Sequence, residues 1–249
     1  MDNRPIGIFD SGIGGLTVLQ EIISLLPSES TIYVADQAYF PYGEKTNKEI
    51  QKRTEKICQF LIKNKVKLIV VACNTATVAA IDFLRKKFSL PFVGLEPAIK
   101  PAAKMTKTGI IGVLVTRRTA KSRRQRKLIE GFAQGKKVVT VDGSELTPLI
   151  EAGQEARLVL EKLLLPLKKL GVDVLVLGST HYPFLKKQIQ AIMGPRVKII
   201  DSGKAVAKQV KRVLKENNLL SSQGKGKRLF FTTATTPLGF PIKASQLKL

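Results

Sequence analysis

The stretch that decides the fold is LIVVACNT at residues 68–75, an apolar run that ends in a small residue, a cysteine and two polar side chains. A second stretch, VLVLGSTH at residues 174–181, has the same form. Runs of this length are typical of strands buried on both faces of a parallel sheet, and ligands bind at the C-terminal ends of such strands. The pair predicts two similar α/β units whose strand ends share a cleft, unless two ordinary buried strands coincide by chance. Cys73 in the first stretch then corresponds to Ser179 in the second.

Short apolar runs alternate with amphipathic ones on both sides of these stretches. The runs predict strands at residues 6–9, 31–34, 66–72, 90–94, 109–115, 138–141, 172–177, 197–200 and 229–232. The amphipathic stretches predict helices at residues 16–26, 47–64, 75–88, 119–132, 146–170, 183–193 and 204–216. This alternation predicts an α/β fold with parallel sheets covered by helices on both faces. Pro97 and Pro101 interrupt it and suggest a hinge.

The content of cysteine and histidine excludes several classes of protein. The 249 residues contain two cysteines, Cys58 and Cys73, and one histidine, His181. These are too few for a disulfide framework or a structural zinc site. No apolar run approaches the ~20 residues of a membrane span, and the N-terminus does not resemble a secretory signal. We therefore expect a cytoplasmic protein with no membrane association.

The charge balance points to anionic partners. Forty-two Lys and Arg residues against nineteen Asp and Glu residues give a formal net charge of +23, and residues 117–127 hold seven basic side chains. Such charge promotes non-specific attraction to nucleic acid and to acidic molecules. The run predicts either a surface that binds nucleic acid or an acidic partner, or simply a solvated charged helix.

Three groups of residues could carry chemistry. The turn DSGIGG at residues 10–15 follows a strand and opens a helix, so its backbone N–H groups predict an anion site, although a plain tight turn fits equally. Cys73 lies before a helix, where the pKa of a thiol is lowered, or else it is a buried apolar residue. Cys58 lies on the apolar face of a helix and is interpreted as structural. Ser179 and His181 lack the Gly-x-Ser-x-Gly turn of a serine hydrolase.

Several stretches, in order, resemble the glutamate racemases across nearly the whole chain. They are GIFDSGIGGLTV at 7–18, Asp36 with PYG at 41–43, ACNTA at 72–76, GLEPA at 94–98, GSTHYP at 178–183 and IDSG at 200–203. The resemblance implies two pseudo-symmetric α/β domains, residues 1–97 with 208–249 and residues 98–207, with the active site in the cleft between them. It also implies a homodimer that uses no cofactor and no metal.

The activity implied by the resemblance is the interconversion of L-glutamate and D-glutamate, which supplies D-glutamate for peptidoglycan. Two thiols act on opposite faces of the α-carbon, one as base and the other as acid, because inversion needs both. Carried over by position, the catalytic residues are Cys73, Ser179 in place of the second cysteine, and Asp10 and His181 beside them. The residues carried over as substrate-binding are Ser11, Pro41, Tyr42, Gly43, Asn74, Thr75, Thr119, Glu151 and Thr180.

Three departures from the family pattern affect the predicted activity. Ser179 is a far weaker acid than a thiol, so we expect racemisation to be impaired or confined to one side of the substrate. The turn at residues 116–122 is unusually basic, and residues 140–144 diverge from the family pattern. Two alternatives stay open at this point: a catalytically weak homologue that acts as a binding protein, and a racemase of another acidic amino acid such as aspartate.

Overall fold

The computed structural model describes residues 2–222, 224–235 and 244–249, and it confirms the predicted α/β class. The strands are β1 Ile6–Asp10, β2 Thr31–Ala35, β3 Leu68–Val71, β4 Phe92–Gly94, β5 Ile110–Val115, β6 Lys137–Asp142, β7 Val174–Leu177, β8 Lys198–Ile200, β9 Arg228–Thr232 and β10 Ser245–Gln246. The α-helices are α1 Leu16–Leu25, α2 Asn47–Lys63, α3 Asn74–Lys87, α4 Ile99–Met105, α5 Arg117–Lys121, α6 Arg123–Phe132, α7 Leu146–Glu151, α8 Arg157–Lys169, α9 Lys186–Met193 and α10 Gly203–Glu216. Short 3₁₀ turns lie at Gln37–Tyr39, Tyr42–Glu44 and Tyr182–Leu185.

The chain divides into two compact units. The first unit contains Met1–Leu95 and Gly203–Leu249, and the second contains Glu96–Ser202. The boundary predicted between residues 207 and 208 falls inside α10, whose buried residues Val206, Val210 and Leu214 belong to the core of the first unit. Part of the predicted range 208–249, namely residues 223 and 236–243, lies outside the described residues.

Each unit is built on one parallel sheet, and the two sheets repeat the same strand order. The first unit has the order β10-β9-β2-β1-β3-β4 and the second has β6-β5-β7-β8. The order β2-β1-β3-β4 in the first sheet matches the order β6-β5-β7-β8 in the second, so β1 and β5 each lie between the next two strands of the chain. The sequence of four strands therefore occurs twice, with β3 in the first unit equivalent to β7 in the second.

The continuous apolar strands explain why both faces of each sheet are covered. In β3, Ile69 and Val71 enter one core cluster while Leu68 and Val70 enter another. In the second unit, Leu175 and Leu177 of β7 likewise face one cluster and Val174 and Val176 the other. Burial of the apolar side chains on each face stabilises the folded state by about 25 cal/mol for each Å² of apolar surface removed from water.

Two helical predictions differ from the structure. The helix predicted at 119–132 is two helices, because Ser122 is extended and caps α6 by accepting a hydrogen bond from the Gln125 N–H. The helix predicted at 146–170 is also divided, with Gly153 at a φ of 64° in the connection between α7 and α8. The hinge suggested by Pro97 and Pro101 stays a prediction; Pro101 lies within α4, at residues 99–105.

No helix of the described part of the chain combines the length and apolar composition that crossing a membrane requires.

Candidate active site

Asp10 organises the glycine-rich turn of the first unit. It is the last residue of β1 and is fully buried. One carboxylate oxygen accepts a hydrogen bond of 2.7 Å from the Ser11 N–H, and the other accepts one of 2.6 Å from the Gly15 N–H. A Cβ at Gly15 would lie 2.8 Å from both the Asp10 Cβ and the Tyr33 hydroxyl, so this position requires glycine.

These hydrogen bonds favour the plain tight turn over the anion site, the two alternatives left open for residues 10–15. Two of the backbone N–H groups that were expected to bind a phosphate or carboxylate already donate to the carboxylate of Asp10. The Asp10 carboxylate therefore supports the turn at both of its ends, through Ser11 and Gly15. Whether the N–H groups of such a turn bind an external anion or a carboxylate of the same chain depends on side-chain geometry, which motif spacing does not reveal.

Cys73 lies directly beside this turn. It follows β3 after one residue and caps α3, where its sulfur accepts a hydrogen bond of 3.4 Å from the Ala76 N–H. The Ser11 hydroxyl lies 3.7 Å from the sulfur, and the side chain is buried. The structure thus brings together three predicted residues: Asp10, Ser11 and Cys73.

The sequence-based expectation of a lowered thiol pKa is wrong in direction. Burial raises the pKa of Cys73 above its usual value, and the negative charge of Asp10 raises it further. The Ala76 N–H and the Ser11 hydroxyl act in the opposite direction but are outweighed. Desolvation disfavours the thiolate more strongly than the helix terminus favours it.

The remaining predicted residues of the first unit differ in how deeply they are buried. Asn74 and Thr75 form the first turn of α3 and are buried, and the Asn74 Oδ1 accepts no hydrogen bond from the described residues. Pro41 is half-buried, whereas Gly43 is exposed. The buried amide oxygen beside the cysteine is an acceptor available to a substrate ammonium.

Tyr42 is committed to a network that the sequence did not reveal. Its hydroxyl donates a hydrogen bond of 2.7 Å to buried Asp36, which also binds the Arg53 guanidinium through both oxygens at 2.6 and 2.8 Å. Burial makes the largest contribution to raising the pKa of Tyr42 well above its usual value, and the charges of Asp36 and Cys73 raise this pKa further. Tyr42 is therefore close enough to Cys73 to interact electrostatically, but its hydroxyl is held by Asp36.

In the second unit, the buried side chains of Ser179, Thr180, His181 and Glu151 form a connected group. His181 Nε2 and Glu151 Oε1 lie 2.6 Å apart, and His181 Nδ1 lies 3.4 Å from the Thr180 hydroxyl. The backbone N–H of His181 donates a hydrogen bond of 3.4 Å to the Ser179 hydroxyl. Glu151 thereby fixes the orientation of the imidazole, as carboxylates commonly do for histidine.

Thr119 has a partner that was not predicted. Its hydroxyl lies 3.1 Å from that of Thr116, and both residues are buried. Thr116 directly follows β5, as Ser11 directly follows β1. Alignment of the two internal repeats, rather than any single motif, would have identified Thr116.

The register of the sheets places Ser179 where the first unit has Cys73. The Ala72 N–H donates to the Phe9 carbonyl at 2.8 Å, and the Gly178 N–H donates to the Leu114 carbonyl at 2.7 Å. In each unit, the hydrogen bond joins the residue directly before Cys73 or Ser179 to the neighbouring strand, which is β1 in the first unit and β5 in the second. A Cβ at Gly178 would collide with the Val115 side chain, so this approach requires glycine.

The two stretches that depart from the family pattern contact each other. The Arg117 guanidinium binds the Asp142 carboxylate at 2.8 Å, and the Ser144 hydroxyl donates to Asp142 at 2.6 Å. Although partial burial acts in the opposite direction, these hydrogen bonds lower the pKa of Asp142. The basic turn and residues 140–144 therefore form one joined feature of the second unit.

Comparison with known proteins identifies the family. The sequence profile of the Asp/Glu/hydantoin racemases matches residues 6–210. The chain is 44% identical to a glutamate racemase of Herpetosiphon aurantiacus, over 96% of each sequence. The chain belongs to the Asp/Glu/hydantoin racemase family.

Solved structures agree with this assignment. A glutamate racemase isoform from Bacillus anthracis has a TM-score of 0.88 at 33% identity, covering 100% of this chain and 99% of that one. An Escherichia coli glutamate racemase, solved with L-glutamate and the activator UDP-MurNAc-Ala, has a TM-score of 0.85 at 36% identity, covering 94% of this chain and 91% of that one. The family predicted from the sequence motifs is confirmed.

Proposed function

We propose that the protein is a glutamate racemase whose second catalytic position carries a hydroxyl in place of a thiol. The observation that carries the proposal is the equivalence of Cys73 and Ser179, each two residues beyond the end of an equivalent strand, in a chain 44% identical to a glutamate racemase over 96% of its length. This likeness favours glutamate over aspartate as the substrate, and an enzyme over a binding protein.

The proposed chemistry divides between the two units. Inversion of the α-carbon requires a base on one face and an acid on the other. We assign Cys73 to one face, with Asp10 and Ser11 as its polar neighbours. Ser179 is assigned to the other, with His181 and Glu151 holding the structure around it.

Protonation of Cys73 sets a condition on this scheme. Because burial and Asp10 raise the pKa of the thiol, the protonated form dominates at neutral pH in the protein described here. A substrate ammonium near Asp10 and the Asn74 amide oxygen would favour the thiolate, because an opposite charge stabilises the charged form. The substrate itself is thus proposed to assist ionisation of the base.

Ser179 limits the proton transfer that we assign to its face of the α-carbon. Its hydroxyl neither forms appreciable alkoxide near neutral pH nor donates a proton as readily as a thiol. We expect Ser179→Cys to raise the rate of L- to D-glutamate conversion by about 100- to 10,000-fold, the usual contribution of a positioned acid or base. Chiral separation of the two enantiomers after incubation measures this rate. An unchanged rate would remove Ser179 from the second catalytic position.

Cys73→Ser in the Ser179→Cys background is the matched control. It moves the hydroxyl to the opposite side while keeping one thiol at the two proposed catalytic positions. We expect interconversion to fall back to the level of the native chain or below it. Full activity in this variant would contradict the assignment of Cys73.

The supply of D-glutamate for peptidoglycan, in the cytoplasm, is the cellular role that fits this activity.

A second proposal concerns the basic run at residues 117–127. Arg117 pairs with Asp142 and Arg124 with Glu96, whereas Arg123, Arg126 and Lys127 extend from α6. These side chains support weak, non-specific association with nucleic acid. Binding to a DNA duplex should weaken steeply as salt rises, because phosphate contacts release counterions. No binding at low salt would dismiss this association without affecting the proposed racemase activity.

A further inference from the structure

The loop between β2 and α2 is anchored by the buried carboxylate of Asp36. The Tyr42 hydroxyl and the Arg53 Nε donate to its Oδ2 at 2.7 and 2.8 Å. The Thr233 hydroxyl and the Arg53 Nη2 donate to its Oδ1 at 2.8 and 2.6 Å. Four donors fill the acceptor capacity of a carboxylate. Asp36 is therefore a structural anchor whose oxygens are already occupied by side chains of the protein.

Arg53 reaches this anchor from α2 and contacts the loop at a second point. Its guanidinium carbon lies 5.4 Å from the centroid of the Tyr39 ring, and the rings of Tyr39 and Tyr42 pack edge to face at 6.2 Å. The remaining terminal nitrogen, Nη1, lies 3.5 Å from the Leu249 carbonyl. A planar guanidinium can bind both oxygens of a carboxylate and also stack on an aromatic ring. One side chain thus holds the beginning of the loop and its middle.

The backbone of the loop gives weaker support between residues 40 and 45. The hydrogen bonds donated by the N–H groups of residues 40, 44 and 45 are 3.3, 3.4 and 3.2 Å long. Each is longer than the usual value of about 2.9–3.0 Å. Pro41, Tyr42 and Gly43, which the family resemblance implies as substrate-binding, lie in this stretch. The side-chain contacts with Asp36 therefore largely determine where these three residues lie.

The same loop contributes to the surroundings of Cys73. Tyr42 and Cys73 belong to one buried cluster of the first unit, and the charge of Cys73 influences the pKa of Tyr42. The negative charge of Asp36 raises this pKa further, whereas the positive charge of Arg53 lowers it. Arg53 therefore offsets part of the charge of the anchor that it holds.

We propose that Arg53 is a positioning residue of the substrate site, which acts through Asp36 to hold Tyr42 and its neighbours in the orientation that binds glutamate. Arg53 supplies two of the four hydrogen bonds to Asp36. Without them a buried carboxylate keeps only half of its donors, which is costly, so Asp36 shifts to find new donors and Tyr42 moves with it. The inference rests on the proposed function, because it assumes that glutamate binds beside Cys73.

Protection of Cys73 from alkylation measures the affinity for glutamate without requiring turnover. In a Cys58→Ser parent protein, which leaves one thiol, the rate of alkylation by iodoacetamide is measured at increasing concentrations of each glutamate enantiomer. Arg53→Met should raise the concentration that gives half-maximal protection by about 10- to 100-fold, because hydrogen bonds to the charged substrate are lost when the loop shifts.

Arg85→Met is the matched control. Arg85 lies on α3 of the same unit and also donates to a loop or strand group, the Phe92 carbonyl, at 3.1 Å. Its removal should leave the concentration for half-maximal protection unchanged, and circular dichroism checks that each variant is folded. If glutamate protects Arg53→Met as well as it protects the parent protein, the positioning role of Arg53 is wrong while the proposed function stands. A parent protein that glutamate does not protect would overturn the proposed function, and this inference with it.

A double-mutant cycle tests whether Arg53 acts through Asp36 and Tyr42. Tyr42→Phe removes only the hydroxyl that Asp36 holds, and it should weaken protection by itself. The double variant with Arg53→Met should bind glutamate little more weakly than Arg53→Met alone, because both changes act on one network. Effects that add fully would overturn the proposed route and assign the role of Arg53 to another contact, such as the Leu249 carbonyl. Should Arg53→Met fail to fold, Arg53→Lys, which keeps the charge but not the paired geometry, replaces it in the same cycle.

Discussion

At the residue scale, the behaviour of Cys73 depends on its buried neighbours more than on its position in the helix. A cysteine at a helix N-terminus is expected to ionise easily. Here burial and the charge of Asp10 raise the pKa, while the Ala76 N–H lowers it by less. The sequence shows the helix terminus but not the depth of burial, which is why the predicted direction was wrong.

The contribution of Asp10 can be measured through the reactivity of Cys73. In a Cys58→Ser background, which leaves one thiol, Asp10→Asn should lower the pKa of Cys73 because it removes the adjacent negative charge. The rate of iodoacetamide alkylation at a fixed pH of about 8 should rise, tenfold for each unit by which the pKa falls.

Asp10→Glu in the same background is the matched control, because it disturbs the turn but keeps the negative charge. Its alkylation rate should stay close to that of the Cys58→Ser protein. An equal rise in both variants would show that the substitutions have opened the turn, and the electrostatic account of Cys73 would fail.

Glu151 and His181 form a buried pair in the second unit, beside the proposed catalytic position of Ser179. Glu151→Ala removes the carboxylate that lies 2.6 Å from Nε2 of the buried imidazole. Loss of a buried hydrogen bond to a charged group should reduce the free energy of unfolding by about 1.5–3 kcal/mol. Urea unfolding followed by circular dichroism measures this loss.

Glu155→Ala is the matched control for that measurement. Glu155 lies four residues further along the chain and is exposed, so its removal should change the free energy of unfolding by less than about 0.5 kcal/mol. Equal effects of the two substitutions would contradict the proposed role of Glu151 in holding His181.

At the scale of single elements, strands were easier to predict than helix breaks. Strands such as β3 and β7 are continuous apolar runs bounded by polar residues, and burial on both faces leaves little choice of conformation. The break at Ser122 occurs within a run of residues that favour helix, without glycine or proline. Its signal was present as Ser122 followed three residues later by Gln125, a pattern of helix N-termini. The basic charge of the run obscured it.

The carboxylate of Asp173 stabilises the start of β5 and gives the second unit a dependence on pH. Although partial burial opposes the shift, hydrogen bonds from the Thr106 hydroxyl and from the Lys107 and Thr108 N–H groups lower the pKa of Asp173 to about 2. The unfolded value is about 3.9. The stabilisation is therefore complete above about pH 4 and is lost as the pH falls towards 2.

Asp173→Asn should remove this dependence. Because the side chain is only partly buried, the expected loss at pH 7 is about 1 kcal/mol or less after solvent screening. The difference in unfolding free energy between the native chain and the variant, measured by urea titration, should shrink between pH 4 and pH 2. A difference that stays constant over this range would exclude Asp173 as the source.

At the scale of the whole molecule, the internal repeat links the fold to the chemistry. The repeated strand order makes β3 and β7 equivalent, and this equivalence follows from two similar apolar runs visible in the sequence. The same repeat places a thiol after one strand and a hydroxyl after the other. The fold is therefore symmetric where the two proposed catalytic residues are not.

The limits of sequence prediction at this scale lie in side-chain partners. The sequence identified Asp10, Cys73, Ser179 and His181 through motifs, but it did not reveal that Asp10 satisfies the glycine turn. It also gave no signal for the network of Asp36 and Arg53. Hydrogen bonds between side chains distant in sequence depend on packing geometry, which local patterns do not encode.

The most direct test of the proposed one-sided site is exchange of the substrate α-proton in deuterated water. Each enantiomer of glutamate is incubated separately with the native chain, and deuterium at the α-carbon is followed by proton NMR. We predict that one enantiomer, whose α-proton faces Cys73, gains deuterium with little inversion, and that the other exchanges far more slowly. In the Ser179→Cys variant both enantiomers should exchange and interconvert. Rapid deuteration and interconversion of both enantiomers by the native chain would contradict the account.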